Sequence, residues 1–395
     1  RVPAAADPKT RKEFAVPGNS EPLISVVTDK EATGYTAMIF FKHPRSANGT
    51  YGEYRDQVLR SLYTGMLNNR FQEITQKPEA PFMYAGSGYG SFIGRSIETY
   101  QLMASAKENQ IEKSIEVILA ENERVRRFGF LASELERQKK DMLAMYETMA
   151  KEADKTESSS YADEYLRNYL ENEPIPGIKK EFELVSSFLP GVTLEEINNL
   201  GKNLISDDNI VVLVTAQEKE GVKVPSVSQV LDIIKSVKGM KIDAYSEDVS
   251  EAPLLDRIPD PGKVVQRTEN SIFGYTDLKL SNGVRVILKP TDFKNDEILF
   301  SSYSPGGTSL YPDDDIMSAT VAPAIVSQSG LGDFDFIGLQ KKLSGNTAKV
   351  TPYINNLHEG ITGSCSPKDL ETLLQLNYMY FTAVRRDETA FNAYV

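Results

Sequence analysis

The chain has 395 residues, of which 40% are hydrophobic and 25% are charged, a composition typical of a globular protein. Its length favours two or three domains, each large enough to bury a core. The formal net charge of −12, with no basic run that contains interleaved aromatic residues, argues against a nucleic-acid partner. The negative charge fits two roles: it would attract basic peptides to the surface, or it would serve only to keep the protein soluble.

Cys365 is the only cysteine, which excludes an intrachain disulfide and a cysteine-based metal cluster. No apolar run approaches the roughly 18 residues of a membrane span, and the chain has no signal-like start. Arg1 stands where a methionine would begin a complete protein, and Val395 falls inside a helix-like pattern. We therefore expect the chain to be a piece of a longer polypeptide.

Residues 1–19 are polar and are predicted to be a lead-in linker, and the first domain is predicted over residues 20–244. A helix over residues 51–77 is the clearest element of this domain, because apolar residues recur at three- and four-residue spacing. Three of the residues on its predicted buried face are Leu62, Met66 and Phe71. We expect this face to pack on the strands of a sheet.

The rest of the first domain mixes strands and helices. The predicted strands are 23–28, 35–41, 83–94, 100–106 and 209–215. The predicted helices are 111–127, 161–170, 178–188 and 227–237, with two more that begin near Ser133 and Thr193. Both of these begin with capping-box spacing, Ser133 with Glu136 and Thr193 with Glu196. Gly86–Gly90 resembles a phosphate-binding loop, but such a loop should open a helix. We predict instead that the strand continues to Gly94.

Residues 245–274 are predicted to be an acidic, proline-containing linker. Its first part, 245–262, holds three prolines and five acidic residues. That composition resists packing and favours an extended backbone, so we expect a hinge at this position.

The second domain is predicted over residues 275–395 and ends too early to be a complete copy of the first. Its hairpin signal is the Asn-Gly pair at Asn282 and Gly283, between two alternating runs. The other predicted elements are strands 298–303, 350–354 and 360–365 and helices 313–329 and 370–384. The shared order of strands, helix, strands and helix fits a distant duplication or a chance similarity of pattern.

Two segments of the first domain carry a family resemblance. Residues 66–76 end a helix with the pattern L-x-x-R-F, and residues 133–143 open another with an E-L-E pattern followed by lysines. This order, with a sheet between the helices, resembles the non-catalytic domain of pitrilysin/insulinase-type zinc metallopeptidases. The resemblance covers about residues 20–240 and 275–395.

The second domain extends the resemblance. Leu280–Leu288 is similar to the L-x-N-G-L-x-V hairpin that opens each half of these peptidases, and Gly306–Pro312 is similar to the turn that follows it. In an active copy the next helix bears His-x-x-Glu-His, which binds zinc and supplies the general base. Val321, Ala324 and Ile325 stand at those three positions here. None of these side chains ligates a metal or moves a proton, so the copy is degenerate.

The resemblance implies an α+β fold of two related units, each a mainly antiparallel sheet with helices on one face, in a metallopeptidase-half (LuxS-like) sandwich. Residues 20–244 would be the second domain of the first half, and residues 275–395 a truncated start of the second half. Zn²⁺ would belong to the parent protein, with its ligands upstream of this chain. The implied partners are peptide or small protein substrates, the upstream catalytic domain and the downstream domain of the second half. A periplasmic or exported location is the expectation from the family.

The other candidate sites are weaker. His43, near a strand end, fits a surface residue better than a ligand, and His358 and Glu359 are adjacent, so they point to opposite faces of a strand. Asp313–Asp315 suits a calcium site or, more simply, the start of a helix. Cys365 fits a small core residue. We therefore assign no catalytic, cofactor-binding or metal-ligating residue within this chain.

Three functions remain open. The chain is expected to be an inactive portion of a zinc-dependent endopeptidase, contributing chamber wall, peptide docking and hinge. The first alternative is a non-catalytic structural or peptide-binding partner of an active peptidase. The second alternative is an unrelated ligand-binding module whose α+β pattern matches by coincidence.

Overall fold

The computed structural model describes residues 12, 14–47 and 49–394. Most of the predicted lead-in linker at residues 1–19 lies outside this range, as does Val395. The described chain has the predicted α+β architecture and forms two units. Among its residues, no helix is long and apolar enough to cross a membrane.

Over the described residues, the first unit contains one five-stranded sheet and seven α-helices. Its strands are β1 (Leu23–Asp29), β2 (Tyr35–Pro44), β3 (Phe82–Gly90), β4 (Ile97–Ala106) and β5 (Ile210–Gln217). Its helices are α1 (Tyr51–Thr75), α2 (Ile111–Phe128), α3 (Ala132–Lys151), α4 (Ser158–Glu171), α5 (Ile178–Phe188), α6 (Leu194–Leu204) and α7 (Val227–Val237). The strand order is β1-β5-β2-β4-β3, and within this sheet only the β1–β5 pair is parallel.

Helix α1 packs against this sheet as predicted. Leu62, Met66 and Phe71 are almost completely buried in the same core as β2 and β4. Thr50 explains where the helix begins, because its hydroxyl accepts from Glu53 N at 3.2 Å while Glu53 Oε2 accepts from Thr50 N at 2.9 Å. The sequence pattern of this helix thus determines both its start and its buried face.

Two local predictions in the first unit are wrong. The Ser133–Glu136 capping box does not form: α3 begins at Ala132, and Leu131 N donates to Glu134 Oε2 at 2.7 Å. The strand predicted through Gly94 ends at Gly90, because the chain must turn before β4 to pair with β3 in antiparallel fashion. The predicted Thr193–Glu196 box is confirmed at the start of α6.

The second unit, as far as the structure describes it, has two three-stranded antiparallel sheets rather than one larger sheet. Its strands are β6 (Val264–Asn270), β7 (Tyr275–Leu280), β8 (Arg285–Leu288), β9 (Ile298–Pro305), β10 (Lys349–Ile354) and β11 (His358–Cys365). Its helices are α8 (Ile316–Ser329), α9 (Phe336–Lys342), α10 (Leu370–Thr382) and α11 (Glu388–Tyr394). The strand orders are β6-β7-β8 and β10-β11-β9. A small core that includes Leu331, Cys365 and Leu373 lies beside the second of these sheets.

The predicted linker at 245–274 is wrong in two respects. Residues 264–270 form β6, which pairs with β7, so the linker ends before Val264. The first part of the segment packs against both units, and Leu254 and Leu255 contact the core of the second unit. Residues 256–263 are exposed throughout and lie outside any helix or strand.

Candidate functional site

A buried arginine at the end of α1 joins the two segments that carry the family resemblance. Arg70 Nε and Nη2 donate to the two carboxylate oxygens of Glu134 on α3, each at 2.7 Å. A second carboxylate, that of Glu121 on α2, lies 3.3 Å from Arg70 Nη1. Because all three side chains are buried, the ion pairs replace the hydration that each charge loses on folding.

The charge of Arg70 is stabilised despite burial. Burial alone would lower the pKa of its guanidinium, but the hydrogen bonds and charge of Glu134, and then those of Glu121, raise it. The rings of Tyr245 and Phe130 also face the guanidinium, with centroids 4.0 and 4.9 Å from Arg70 Cζ. Tyr245 belongs to the predicted linker, so this stacking fixes the linker to the first unit.

Lys341 on α9 connects this site to the second unit. Its ammonium lies 2.7 Å from Glu73 Oε1 of α1 and 2.8 Å from Glu247 Oε2 of the linker. It also donates to the Tyr245 hydroxyl at 3.0 Å, and that hydroxyl in turn donates to Glu73 at 2.8 Å. One lysine therefore bonds to the first unit, the linker and, through its own helix, the second unit.

Glu247 keeps its negative charge although its side chain is buried. Burial alone would raise the pKa of its carboxyl, but hydrogen bonds from Lys341, Ser133 and Arg137 outweigh burial and lower the pKa to about 2. The Ser133 hydroxyl donates at 2.6 Å, and Arg137 Nη2 donates at 2.7 Å. Glu247 therefore stays ionised at neutral pH and holds the linker against α3.

Further along α3, the contact with the second unit is polar. Asp141 Oδ1 accepts from Ser344 Oγ at 2.8 Å and from Gly345 N at 2.6 Å. Beyond it, Glu147 pairs with Lys368 at 2.6 Å, and Lys151 lies 3.2 Å from Asp296 Oδ1. We call the contacts of α1, α3 and the linker with the second unit the junction. A cleft of about 130 Å³ lies within it, lined by both polar and apolar side chains, among them Met66, Glu73, Arg137, Ile337 and Lys341.

The two histidines lie on strands of different sheets, β2 and β11, and make none of the junction contacts described above. His43 lies at the end of β2, where it is half-buried rather than fully exposed; its Nε2 lies 3.1 Å from Leu204 O, and burial lowers its pKa. His358 is exposed on β11, where its ring makes an edge contact with Tyr303 at 5.7 Å between centroids.

The remaining candidates occupy structural positions. Gly86–Gly90 lies within β3 and pairs with β4, so it forms no phosphate loop. Asp313–Asp315 forms one exposed turn immediately before α8. Cys365 is buried in the second core, and burial raises the pKa of its thiol. Among the described residues, no group of three or more His, Cys, Asp or Glu side chains is placed to hold a metal ion.

Val321, Ala324 and Ile325 lie on α8, where the resemblance expects a zinc-binding helix. Their side chains carry no nitrogen, oxygen or sulfur, so this helix does not fit a zinc ion. Pro323 lies between them and lacks the amide hydrogen that would bond one turn back.

Sequence reasoning singled out the segments that contain Arg70 and Glu134 but did not foresee the pair. A buried bidentate pair between an arginine and a glutamate 64 residues apart leaves no local signal. The sequence analysis did not predict helix α9, which carries Lys341. Asp335 was an available N-cap signal for this helix, and in the structure its Oδ1 accepts from Gly338 N at 2.6 Å.

No protein-family model matches the chain. Curated relatives do: the chain is 26% identical over 380 residues to a zinc protease PQQL-like protein of Arabidopsis thaliana, which covers 96% of this chain and 34% of that protein. It is 22% identical over 339 residues to a probable zinc protease PqqL of Haemophilus influenzae, covering 85% of this chain and 36% of that protein. The chain thus spans about a third of the length of these relatives.

Solved structures share the fold over almost the whole chain. Crystalline pitrilysin matches with a TM-score of 0.57 at 12% identity, covering 97% of this chain and 40% of pitrilysin. The chain is thus similar in fold to pitrilysin and in sequence to proteins named zinc proteases.

Two further solved proteases have a similar fold. The periplasmic protease PqqL of Escherichia coli matches with a TM-score of 0.56 and 16% identity, covering 98% of this chain and 42% of that one. A mutant of the ferredoxin protease FusC in complex with Arabidopsis ferredoxin matches with a TM-score of 0.58 and 16% identity, covering 97% and 43%. Each match aligns nearly the whole of this chain with less than half of a longer one.

Proposed function

We propose that this chain is a non-catalytic portion of a zinc-dependent endopeptidase that encloses its substrates between two halves. Residues 20–244 would be the second domain of the first half, and residues from 275 onward the start of the second half. Support comes from the order of the family motifs and from the relatives named zinc proteases. The observation that carries the proposal is the junction, which joins two units of the peptidase fold through Lys341.

The proposed role is mechanical: this stretch forms chamber wall, contributes to peptide docking and provides the hinge. A hinge needs contacts that hold the two units in one arrangement but can be replaced by contacts with water when the units move apart. The polar contacts along α3 meet that need, because hydrated charges regain much of their interaction free energy when they separate. The exposed segment 256–263 would absorb the change in backbone direction.

The chemistry of the parent is assigned to residues outside this chain. Zinc would polarise the scissile carbonyl and activate water in an active family member. The residues present here do not fit that ion, since α8 presents Val321, Ala324 and Ile325. No catalytic step is therefore assigned to this chain.

Substrates and location follow from the relatives by analogy. The FusC mutant is bound to ferredoxin, which supports peptide or small protein substrates for the parent. The Escherichia coli PqqL is a periplasmic protease, which supports a periplasmic or exported location.

Metal analysis and a cleavage assay of the purified chain test the assignment. We expect much less than one zinc ion per chain. We also expect no chelator-sensitive cleavage of peptides. Stoichiometric zinc, lost together with cleavage on chelation, would show that this chain holds an active site of its own.

A non-catalytic partner of an active peptidase would give the same negative result. The coding sequence upstream of residue 1 separates the two functions. A domain with His-x-x-Glu-His there supports the peptidase, and a domain with a degenerate motif supports the partner.

A further inference from the structure

Helix α4 turns its apolar face to water. Three tyrosines at four-residue spacing, Tyr161, Tyr165 and Tyr169, share one face of this helix, and Leu166 lies beside them. An amphipathic helix on a protein surface normally packs such a face against the core. Here all four side chains are exposed, Tyr169 to 80%, and no residue of α4, which the structure describes throughout, is buried. We call these four residues the tyrosine face.

The helix is attached to the first unit through its two ends and its other side. Near its start, the Tyr161 hydroxyl donates to Ala153 O at 3.1 Å, just after the end of α3. At its end, Arg45 Nη2 donates to Glu171 O at 3.0 Å. Glu164 and Glu171 are partly buried on the side of the helix away from the tyrosines. The tyrosine face is therefore exposed on a helix that is itself held in place.

Negative charge is concentrated around the tyrosine face. Residues 152–173 contain seven acidic and two basic side chains, which gives −5 of the formal net charge of −12. Both cations are already engaged, because Lys155 Nζ donates to Asp292 O at 2.8 Å and Arg167 Nε lies 3.0 Å from Glu173 Oε2. Among the described residues, three of the carboxylates in this stretch have no cation within ion-pair distance: Glu157, Asp163 and Glu164. The surroundings of the face therefore carry unpaired negative charge.

Rings and charge together define the chemistry of a partner. Tyrosine rings offer a large apolar contact area, and their faces attract the cations of arginine and lysine. The unpaired carboxylates attract the same cations. Nucleic acids and anionic membranes carry negative charge and are repelled. A second copy of the chain would bring another charge of −5 to the same place. The partner that fits is a polypeptide segment that combines basic and apolar side chains.

We propose that the tyrosine face of α4 is a docking surface for a basic, apolar segment of another polypeptide. From Tyr161 to Tyr169 the helix rises about 12 Å, which is the length of about four residues of extended chain. The segment would place its apolar side chains on the rings and its arginine or lysine side chains against Glu157 and Asp163. Docking needs neither zinc nor cleavage, so this role goes beyond the proposed function.

The probe is a fluorescein-labelled peptide in which arginine alternates with leucine and phenylalanine, and its binding is followed by fluorescence anisotropy. The matched probe has glutamate in place of arginine. We expect the arginine peptide to bind the chain and the glutamate peptide not to bind.

A double variant, Tyr165→Ser with Tyr169→Ser, tests the position of the site. It should weaken binding of the arginine peptide by roughly tenfold or more, because the apolar contact is lost. Higher salt should weaken binding as well, because it screens the charges. Neither tyrosine is buried, so circular dichroism should show that the double variant is folded. The control is Tyr303→Ser, at an exposed residue of β9, and it should leave the affinity unchanged.

Equal affinity of the double variant and the wild type, or of the two peptides for the wild type, would overturn the proposal, as would an equal loss with Tyr303→Ser. Self-association of the chain that the double variant abolishes would overturn it too, because a second copy would then occupy the face. In a longer chain of the parent protein, a thiol reagent should modify Tyr169→Cys rapidly, while Cys365 is buried. Protection of the new cysteine would overturn the proposal, because another domain of the same polypeptide would then cover the face. None of these outcomes bears on zinc content or cleavage, so this proposal and the proposed function fail separately.

Discussion

The two units share a strand order but differ in how they are stabilised. The first unit closes its five-stranded sheet around one large core that includes residues of its strands and of the helices packed on them. The second unit has a small core beside three strands, and large apolar side chains such as Leu299 and Phe381 stay exposed. Burial of apolar surface therefore stabilises the first unit by itself. The second unit depends more on its contacts with α3.

Ion pairs follow the same division. The Arg70 pairs lie inside the first unit, where water is excluded, whereas the pairs of Glu147 and Lys151 with the second unit are partly exposed. A buried pair is costly to break because an unpaired charge remains behind. A partly exposed pair is screened by salt and contributes little. The first unit should therefore behave as a rigid body and the junction as an adjustable contact.

Replacing Arg70 with methionine should have the largest effect. Arg70→Met leaves Glu134 buried without its guanidinium partner and leaves Glu121 with Arg124 alone, so we expect the free energy of unfolding to fall by about 3–5 kcal/mol. Urea denaturation followed by circular dichroism measures this change. The matched control is Arg267→Met on the exposed strand β6, which should change stability by less than about 0.5 kcal/mol. If the two substitutions lowered the free energy of unfolding equally, buried and exposed ion pairs would not differ in their contribution to stability.

Truncating a core residue of α1 comes next. Leu62 is fully buried against the first sheet, so Leu62→Ala should cost about 2–5 kcal/mol. Leu299→Ala on the exposed face of β9 is the control and should be nearly neutral. An unchanged urea midpoint for Leu62→Ala would mean that α1 does not belong to the core.

The third prediction concerns pH. The folded-state pKa of Glu247 is lowered to about 2 from 4.5, so its ionised form contributes stability above pH 4.5, and this contribution is lost as the pH falls toward 2. At pH 7 we expect Glu247→Gln to destabilise the junction by roughly 3 kcal/mol, and the difference from wild type to vanish near pH 2. Unfolding followed over pH 2–7 checks this, with Asp248→Asn as the exposed control. A pH-independent difference would mean that the carboxylate charge is not responsible.

Limited proteolysis tests where the hinge lies. The linker composition predicts first cleavage near residue 250, but the contacts of Tyr245 and Glu247 protect that part and move the expected site to 256–263. Trypsin should cut first after Arg257, which is exposed. A glutamyl endopeptidase should cut slowly after Glu247. First cleavage within residues 66–76 or 209–215 would mean that the division into units is misplaced.

Local pattern predicts much of this fold. The helices at 178–188 and 227–237 match the structure residue for residue, because their apolar spacing is contained in the segment itself and because Ser226 caps the second of them. Strand β6 was missed because its polar, exposed sequence follows a proline-rich stretch, and its existence depends on pairing with β7. A strand of this kind is defined by its neighbour rather than by its own residues.

The junction lay beyond sequence reasoning for a related reason. Lys341 meets Glu73 and Glu247 only after the chain has folded, and a single lysine among many carries no signal of its partners. The absence of zinc ligands at the motif positions of α8, in contrast, was readable at once from Val321, Ala324 and Ile325. Single positions of a known motif can be read from one sequence, but long-range pairs cannot.

The distance between the two units tests most directly whether Lys341 holds them together. Spin labels at Lys179→Cys on α5 and Glu371→Cys on α10 report this distance by pulsed electron resonance, with Lys349→Met as a control outside the junction. We predict one narrow distance distribution for the labelled chain and the control. Lys341→Met, or about 1 M salt, should broaden the distribution toward longer distances. An unchanged distribution with Lys341→Met would contradict the role of the junction as the contact that sets the arrangement of the two units.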